Sequence, residues 1–273
     1  MIPAAFDYKR ASSADEALDL ITELGDEAKF LAGGHSLLPL MKLRLAQPSV
    51  LVDIGRLSDL SYIKDAGDHI AIGALTRHHD LETSDLLKKE NPLIAHTASQ
   101  VGDPQVRHRG TIGGSIAHSD PASDLPATVL ALGGTLVARS KGGERTIAAK
   151  DFFTGFLESA LAPDEMLTEI RVPKISSGGW GFQKMNRRAQ DWAIVGVAAY
   201  RVNGTAGVAL VNMGSTPVYA QGVVDALAGG ASVADAAEHA ADGTEPPGDL
   251  NATPEFRVHL AKVLVRRALE SCG

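Results

Sequence analysis

The stretch that decides the fold is Arg107-His-Arg-Gly-Thr-Ile-Gly-Gly-Ser-Ile-Ala-His-Ser-Asp-Pro-Ala-Ser-Asp124-Leu-Pro126. Within it Thr111, Ile112, Gly113, Gly114 and Ser115 lie close to two arginines, and Asp124 follows nine residues after Ser115. Two adjacent glycines lack the Cβ that would block close approach, so their N–H groups can cradle phosphate oxygens. Earlier in the chain, Phe30-Leu31-Ala32-Gly33-Gly34-His35-Ser36-Leu37 carries a second glycine pair behind a short apolar run. One such pair is most often an ordinary turn. Two of them, each beside a hydroxyl residue, predict opposite sides of one diphosphate-containing ligand.

Composition narrows the partners. The chain has 273 residues and a formal charge of −7, which argues against nucleic acid or an anionic membrane as the main partner. That length predicts two or three subdomains rather than a single core. No secretory h-region is visible in Met1–Arg10, and no run approaches the ~20 apolar residues of a membrane helix. The sequence therefore predicts a cytoplasmic chain without an integral membrane segment, and leaves peripheral membrane association open. The only cysteine is Cys272, which excludes an internal disulfide and a thiolate-held iron–sulfur cluster on this chain. The histidines form no HExxH pattern, and adjacent His78-His79 diverge on a helix, so no metal site is expected.

Local signals give the elements. Ser13-Ala-Asp-Glu16 reads as a capping box for a helix ending near Gly25, followed by a strand over Lys29–Ala32, a helix over Pro39–Ala46 and a buried strand over Val50–Ile54. Residues 61–74 read as a hairpin around Gly67-Asp68, and Thr76 as the N-cap of a helix through Lys88. Asn91-Pro92 starts another helix, to about Val101, and 102–126 reads as a loop. Hairpin strands around Lys141–Gly143 and a strand over Glu165–Val172 come next. Lys174–Gly179 reads as a linker. Beyond it, strands are expected over Trp180–Asn186, Trp192–Val202 and Val208–Met213, a helix over Pro217–Leu227, and a last amphipathic helix capped by Thr253. The fold class is α+β with mixed sheets, divided at 1–57, 58–175 and 176–273.

Several chemistries are absent from the sequence. No G-x-G-x-x-G run lies between strand and helix, no P-loop ends in Gly-Lys-Ser/Thr, and no G-x-S-x-G elbow occurs. What remains is a phosphate-rich ligand gripped at two separate loops, with no catalytic acid, base or nucleophile to nominate.

Ala32-Gly-Gly-His-Ser36, extended through Leu-Leu-Pro-Leu-Met-Lys, together with Thr111-Ile-Gly-Gly-Ser115 and Asp124, resembles the FAD-binding medium subunit of molybdenum hydroxylases. The likeness is strongest to the medium subunits of aerobic carbon monoxide dehydrogenases, more distant to the flavin segment of xanthine dehydrogenases, and extends through Arg187–Val195. It implies a PCMH-type FAD-binding fold, with a small N-terminal α/β unit and a larger α+β unit, plus a C-terminal antiparallel sheet-and-helix domain. It also implies FAD in the cleft between them. By matching positions, residues 31–37 and 111–115 would take the diphosphate and adjoining sugar groups, Asp124 would accept from FAD hydroxyls, and Val101, Leu167 and Lys184 would be further contacts. Trp192 falls where relatives place an aromatic near the flavin ring.

The residues alone leave other readings open. Asp124 also suits the cap of a helix starting near Leu125-Pro126, Lys184 a solvated strand position, and Val101, Leu167 and Trp192 the core. Arg107 and Arg109 suit either phosphate steering or an exposed loop. His35 and His118 receive no acid–base role. For the whole protein, the resemblance implies an electron-relay oxidoreductase subunit fed by a [2Fe–2S] small subunit beside a molybdopterin large subunit, in a dimer of heterotrimers, passing electrons to NAD, a quinone or another acceptor. The rivals are a free-standing FAD oxidase or reductase and a non-enzymatic nucleotide-binding assembly subunit.

Overall fold

A computed structural model of all 273 residues places three main sheets side by side along the chain, each with its own helical cover, and adds a two-stranded ribbon of Phe153–Gly155 with Glu158–Ser159. The first is a three-stranded parallel sheet in which Val50–Asp53 lies between Asp7–Arg10 and Ala28–Leu31. Helix Ala14–Leu24 covers it, burying Ala17, Leu18 and Ile21 against Val50 and Val52. Ser13 caps this helix as expected, its Oγ accepting from Glu16 N–H at 3.1 Å. The return half of the box shifts by one residue: the Glu16 carboxylate accepts from Ser12 N–H at 2.7 Å, not from Ser13. Gly25 ends the helix at φ +56°, in the left-handed region that suits glycine.

The second sheet has five antiparallel strands, in the order Ile63–Asp65, His69–Gly73, Met166–Pro173, Thr135–Ser140, Gly143–Ala148. The third has four, from Gly179–Met185, Val195–Val202, Thr205–Val211 and Val218–Tyr219. Each sheet is thus of one sense, not mixed. The third is buried on both faces. Val195, Val197, Ala199, Val208 and Leu210 face a core beneath the terminal helix Pro254–Glu270, whereas Ala198, Ala209 and Val211 face the core of the second sheet. That double burial explains why its strands read as unbroken apolar runs rather than alternating ones.

Several expected boundaries move. Thr76 does not cap a helix: its hydroxyl bonds both the N–H and the C=O of Tyr62, at 3.1 and 2.9 Å, stapling the first hairpin. The single helix expected through Lys88 is two, His78–Thr83 and Asp85–Glu90, because Ser84 recaps the chain. The segment 102–126, expected as a loop, holds helices Pro104–Arg109 and Ile112–His118 and the start of Asp124–Ala131. The helix expected over Pro39–Ala46 is Leu37–Lys42, the strand expected from Trp192 begins at Val195, and Val218–Tyr219 is a short strand ahead of helix Gln221–Ala228. No helix is long and apolar enough to cross a membrane.

Candidate functional site

The first glycine turn leaves the sheet at the end of strand Ala28–Leu31 and runs directly into helix Leu37–Lys42. Gly34 is left-handed at φ +80°. A Cβ on Gly33 would collide with the Arg109 carbonyl, so the two motifs approach each other backbone to backbone at this point. The N–H groups of Gly33 through Leu37 form no hydrogen bond within the chain. A run of unsatisfied amides ending at a helix start is an anion-binding arrangement.

The second turn works differently from the expectation. Its amides are already used: Ile112 N–H donates to Thr76 O at 3.1 Å, Gly113 N–H to Ala74 O at 2.8 Å, and Ser115 N–H to Thr111 O at 3.0 Å. Gly114 N–H is held by the capping hydroxyl of Thr111 at 3.1 Å. Gly113 is a glycine for packing, since a Cβ there would stand 2.5 Å from the Ala74 Cβ. At Gly114 a Cβ would meet only Thr111 Oγ1, at 2.7 Å, and otherwise open space. This turn therefore offers a side-chain-free surface and the Ser115 hydroxyl, while the free amides come from the first turn.

Both turns line one cleft of about 840 Å³, within the range for cofactor sites. Every site residue named from the sequence lines it except Ile112, whose side chain is wholly buried in the core. Leu167 belongs to that core and also reaches the cleft, at a bulge where the strand register shifts between Leu167 and Glu169. Bulges re-aim side chains, and no sequence signal marked this one.

Asp124 is not the helix cap; Ser123 holds that position and Asp124 stands in the first turn. Its Oδ2 accepts from Lys184 Nζ at 2.7 Å, and the same ammonium donates to Gln100 O at 3.1 Å. Lys184 is accordingly buried, not solvated, with its side chain 7% exposed against 6% for Asp124. Burial pushes the Asp124 carboxyl up to about 6, with the Lys184 charge opposing the rise. The other oxygen, Oδ1, is buried and has no partner. A buried acceptor in that state lacks the donor that a ligand hydroxyl or a water supplies.

Trp192 is 57% exposed and lines the cleft, so it is not a core tryptophan. Arg107 does not steer: it pairs with Glu82 at 2.8 Å and donates to Val101 O at 3.2 Å. Arg109 contributes its carbonyl, not its side chain, at the contact with Gly33. His35 and His118 line the cleft, each held below the ordinary histidine range chiefly by burial. Sequence reasoning missed two residues. Arg77 is a strut whose guanidinium donates to the Arg109 carbonyl and to Gly55 O at 3.1 Å, tying the first unit to the second turn. His78 lines the cleft at 4% exposure, pushed down to about 4 by burial and neighbouring cations, and packs where Gly110 lacks a side chain. The His78-His79 doublet was the only hint.

Residues 4–175 match the model of the FAD binding domain in molybdopterin dehydrogenase, and residues 180–272 the CO dehydrogenase flavoprotein C-terminal domain. The matches define the class, an FAD-binding oxidoreductase subunit. The chain belongs to the family of FAD-carrying medium subunits of molybdenum hydroxylases. It is 41% identical to the carbon monoxide dehydrogenase medium chain of Hydrogenophaga pseudoflava, over 99% of this chain and 98% of that one. It is also 37% identical to the 6-hydroxypseudooxynicotine dehydrogenase complex subunit alpha of Paenarthrobacter nicotinovorans, over 98% and 95%. The fold superposes on a chain of the solved carbon monoxide dehydrogenase from Hydrogenophaga pseudoflava at a TM-score of 0.96, with 41% identity and coverage of 100% and 98%.

Proposed function

We propose that this chain holds FAD in the cleft as the electron relay of a multi-subunit molybdenum hydroxylase of the aerobic carbon monoxide dehydrogenase type. One observation carries the reading: five amides at Gly33–Leu37 with no partner in the chain and Asp124, whose buried Oδ1 has none either, belong to the lining of one cleft. The first set suits a diphosphate and the second a sugar or ribityl hydroxyl, so FAD fits both ends. Bound FAD supplies the ability to accept electrons singly and release them in pairs. The chain's own residues bind and orient. Gly33–Leu37 take phosphate charge, Thr111, Gly114 and Ser115 leave space and a hydroxyl on the facing side, and Asp124, fixed by Lys184, accepts from hydroxyls. Val101, Leu167 and Trp192 exclude water from the rest of the cleft.

In this reading the units 1–57, 58–175 and 176–273 close on FAD from three sides. Electrons come from [2Fe–2S] clusters of a cysteine-bearing small subunit, since Cys272 is the only thiol here and is buried. A large subunit carries molybdopterin and selects the substrate, and an external acceptor such as NAD or a quinone drains the FAD. The assembly is a dimer of such heterotrimers in the cytoplasm. Carbon monoxide or another small molecule is the substrate, a choice made on the large subunit rather than on this chain.

The test is to purify the chain alone and with its co-expressed partners. Alone it should carry FAD and show no iron–sulfur absorption, and in the complex its FAD should be reduced by the substrate of the large subunit. A chain that holds no flavin even with its partners present defeats the relay. Turnover of a small substrate by the isolated chain would favour a free-standing oxidase, and an intact complex without FAD would favour the scaffold.

A further inference from the structure

Residues 186–193 form a strap between two strands of the third sheet, and Gln190, Asp191 and Trp192 of that strap line the cleft. The strap is closed at its base by Ile194 N–H donating to Met185 O at 2.7 Å. Within it, Arg188 pairs with Asp191 at 2.9 Å, and Asp191 Oδ1 accepts from Trp192 N–H at 3.0 Å. These bonds stiffen the strap but do not aim it. Its direction is set by the bonds that leave it: Arg187 donates to Asn251 Oδ1 at 3.1 Å, and the two carbonyls that follow Trp192 are each held from another element.

The Ile194 carbonyl accepts from Arg257, a wholly buried guanidinium on the terminal helix that Asp249 braces at 2.8 Å. The Ala193 carbonyl accepts from the side-chain amide of Asn212 at 2.8 Å. Asn212 follows strand Thr205–Val211 and is left-handed at φ +62°. Asparagine is among the few side chains that tolerate this region. In that conformation its backbone N–H donates to Pro121 O, also at 2.8 Å, in the turn that leads into Asp124. One residue therefore holds both the loop bearing the cleft's carboxylate and the strap bearing its exposed aromatic.

We propose that Asn212 is a positioning residue that sets the Trp192 strap against the cleft in register with the Asp124 loop. Asn212 does not line the cleft itself, and acts through Ala193 and Pro121. The inference rests on the FAD reading for its functional meaning, but the strap geometry stands without it.

Asn212→Gly is the clean variant. Glycine keeps the left-handed backbone and the N–H to Pro121, and deletes only the bond to Ala193. Asn212→Asp is the second variant, keeping the shape while turning the donor into an acceptor that repels the carbonyl. Both are made in the full chain with Trp180→Phe, leaving Trp192 as the only tryptophan of the two present. Loss of one neutral hydrogen bond should shift the docked-to-undocked ratio of the strap by about 2- to 10-fold. Without added FAD this reads as lower Trp192 fluorescence anisotropy. With FAD it reads as loss of Trp192 quenching by flavin and a moved flavin midpoint potential, while FAD affinity stays close to that of the parent. Unchanged anisotropy and quenching in both variants would overturn the proposal. A parent that binds no FAD, yet whose anisotropy falls on Asn212→Gly, would overturn the FAD reading and leave the positioning role standing.

Discussion

The buried pair Asp124–Lys184 separates holding the fold from holding the cofactor. Its N–O distance is 2.7 Å and both side chains are under 10% exposed. Burial pushes the Asp124 carboxyl up to about 6, and its ionised form depends on Lys184 for compensation. Removing Lys184, by K184M, strands a buried carboxylate and should cost about 3–5 kcal/mol of stability, whereas D124N puts a neutral group where the raised carboxyl already favours one and should cost less. Removing both together should restore most of that loss, because an apolar or neutral replacement of a buried ion pair is often close to neutral. FAD affinity should not follow the same pattern. Both D124N and the double variant lose the charged acceptor, worth about 1.5–3 kcal/mol or a factor of about 10 to 150 in Kd. Urea unfolding measures the first quantity and quenching of flavin fluorescence on titration measures the second. A double variant that binds FAD as tightly as the parent would refute the role given to Asp124, and additive stability losses would refute the pairing.

Other outcomes follow from the same geometry. Gly114→Val should fold, with a cap loss of about 1 kcal/mol at Thr111, yet retain little FAD, whereas Gly113→Val should fail to fold stably against Ala74; flavin content and thermal melts distinguish them. Asp124 also gives a pH dependence. Its folded value is raised from 3.8 to about 6, so between those values the folded chain holds a proton that the unfolded chain has released. This group's contribution to stability therefore declines as pH rises from about 4 to about 6 and is flat above, while FAD affinity weakens as pH falls through about 6. Proton uptake on unfolding across that window, with no loss of affinity below it, would contradict the assignment. Cys272, its thiol pushed up to about 11 by burial and donating to Ala268 O at 3.2 Å, should resist alkylation in the native chain and react fully in urea.

The sequence was most legible where one local interaction decides the outcome. Ser13 and Thr253 cap their helices because a hydroxyl meets an orphan N–H three residues on. The turn at Gly67, and glycine at the exit of the first sheet, follow from backbone freedom alone. Elements made by their neighbours were not legible. Strand Asp7–Arg10 is exposed at every position and carries no apolar alternation; it exists because Val50–Asp53 offers it a parallel edge. Helices Pro104–Arg109 and Ile112–His118 are too short to announce a periodicity and are held by packing.

The site divides the same way. The glycine motifs and Asp124 could be named from the chain, but which amides stay free could not, because the partners of Ile112 and Gly113 come from Thr76 and Ala74 across the fold. Lys184 looked solvated because it carries a charge on a strand. Only the tertiary structure shows Asp124 and Gln100 meeting it. Arg77 gave no local signal, since its two acceptors lie 22 and 32 residues away.

The most direct measurement is an experimental structure of the chain with FAD bound. The account places the diphosphate within hydrogen-bonding reach of the Gly33–Leu37 amides, facing Gly114 and Ser115, with an FAD hydroxyl on Asp124 Oδ1. A diphosphate lying elsewhere, with those amides bonded only to water, would contradict it.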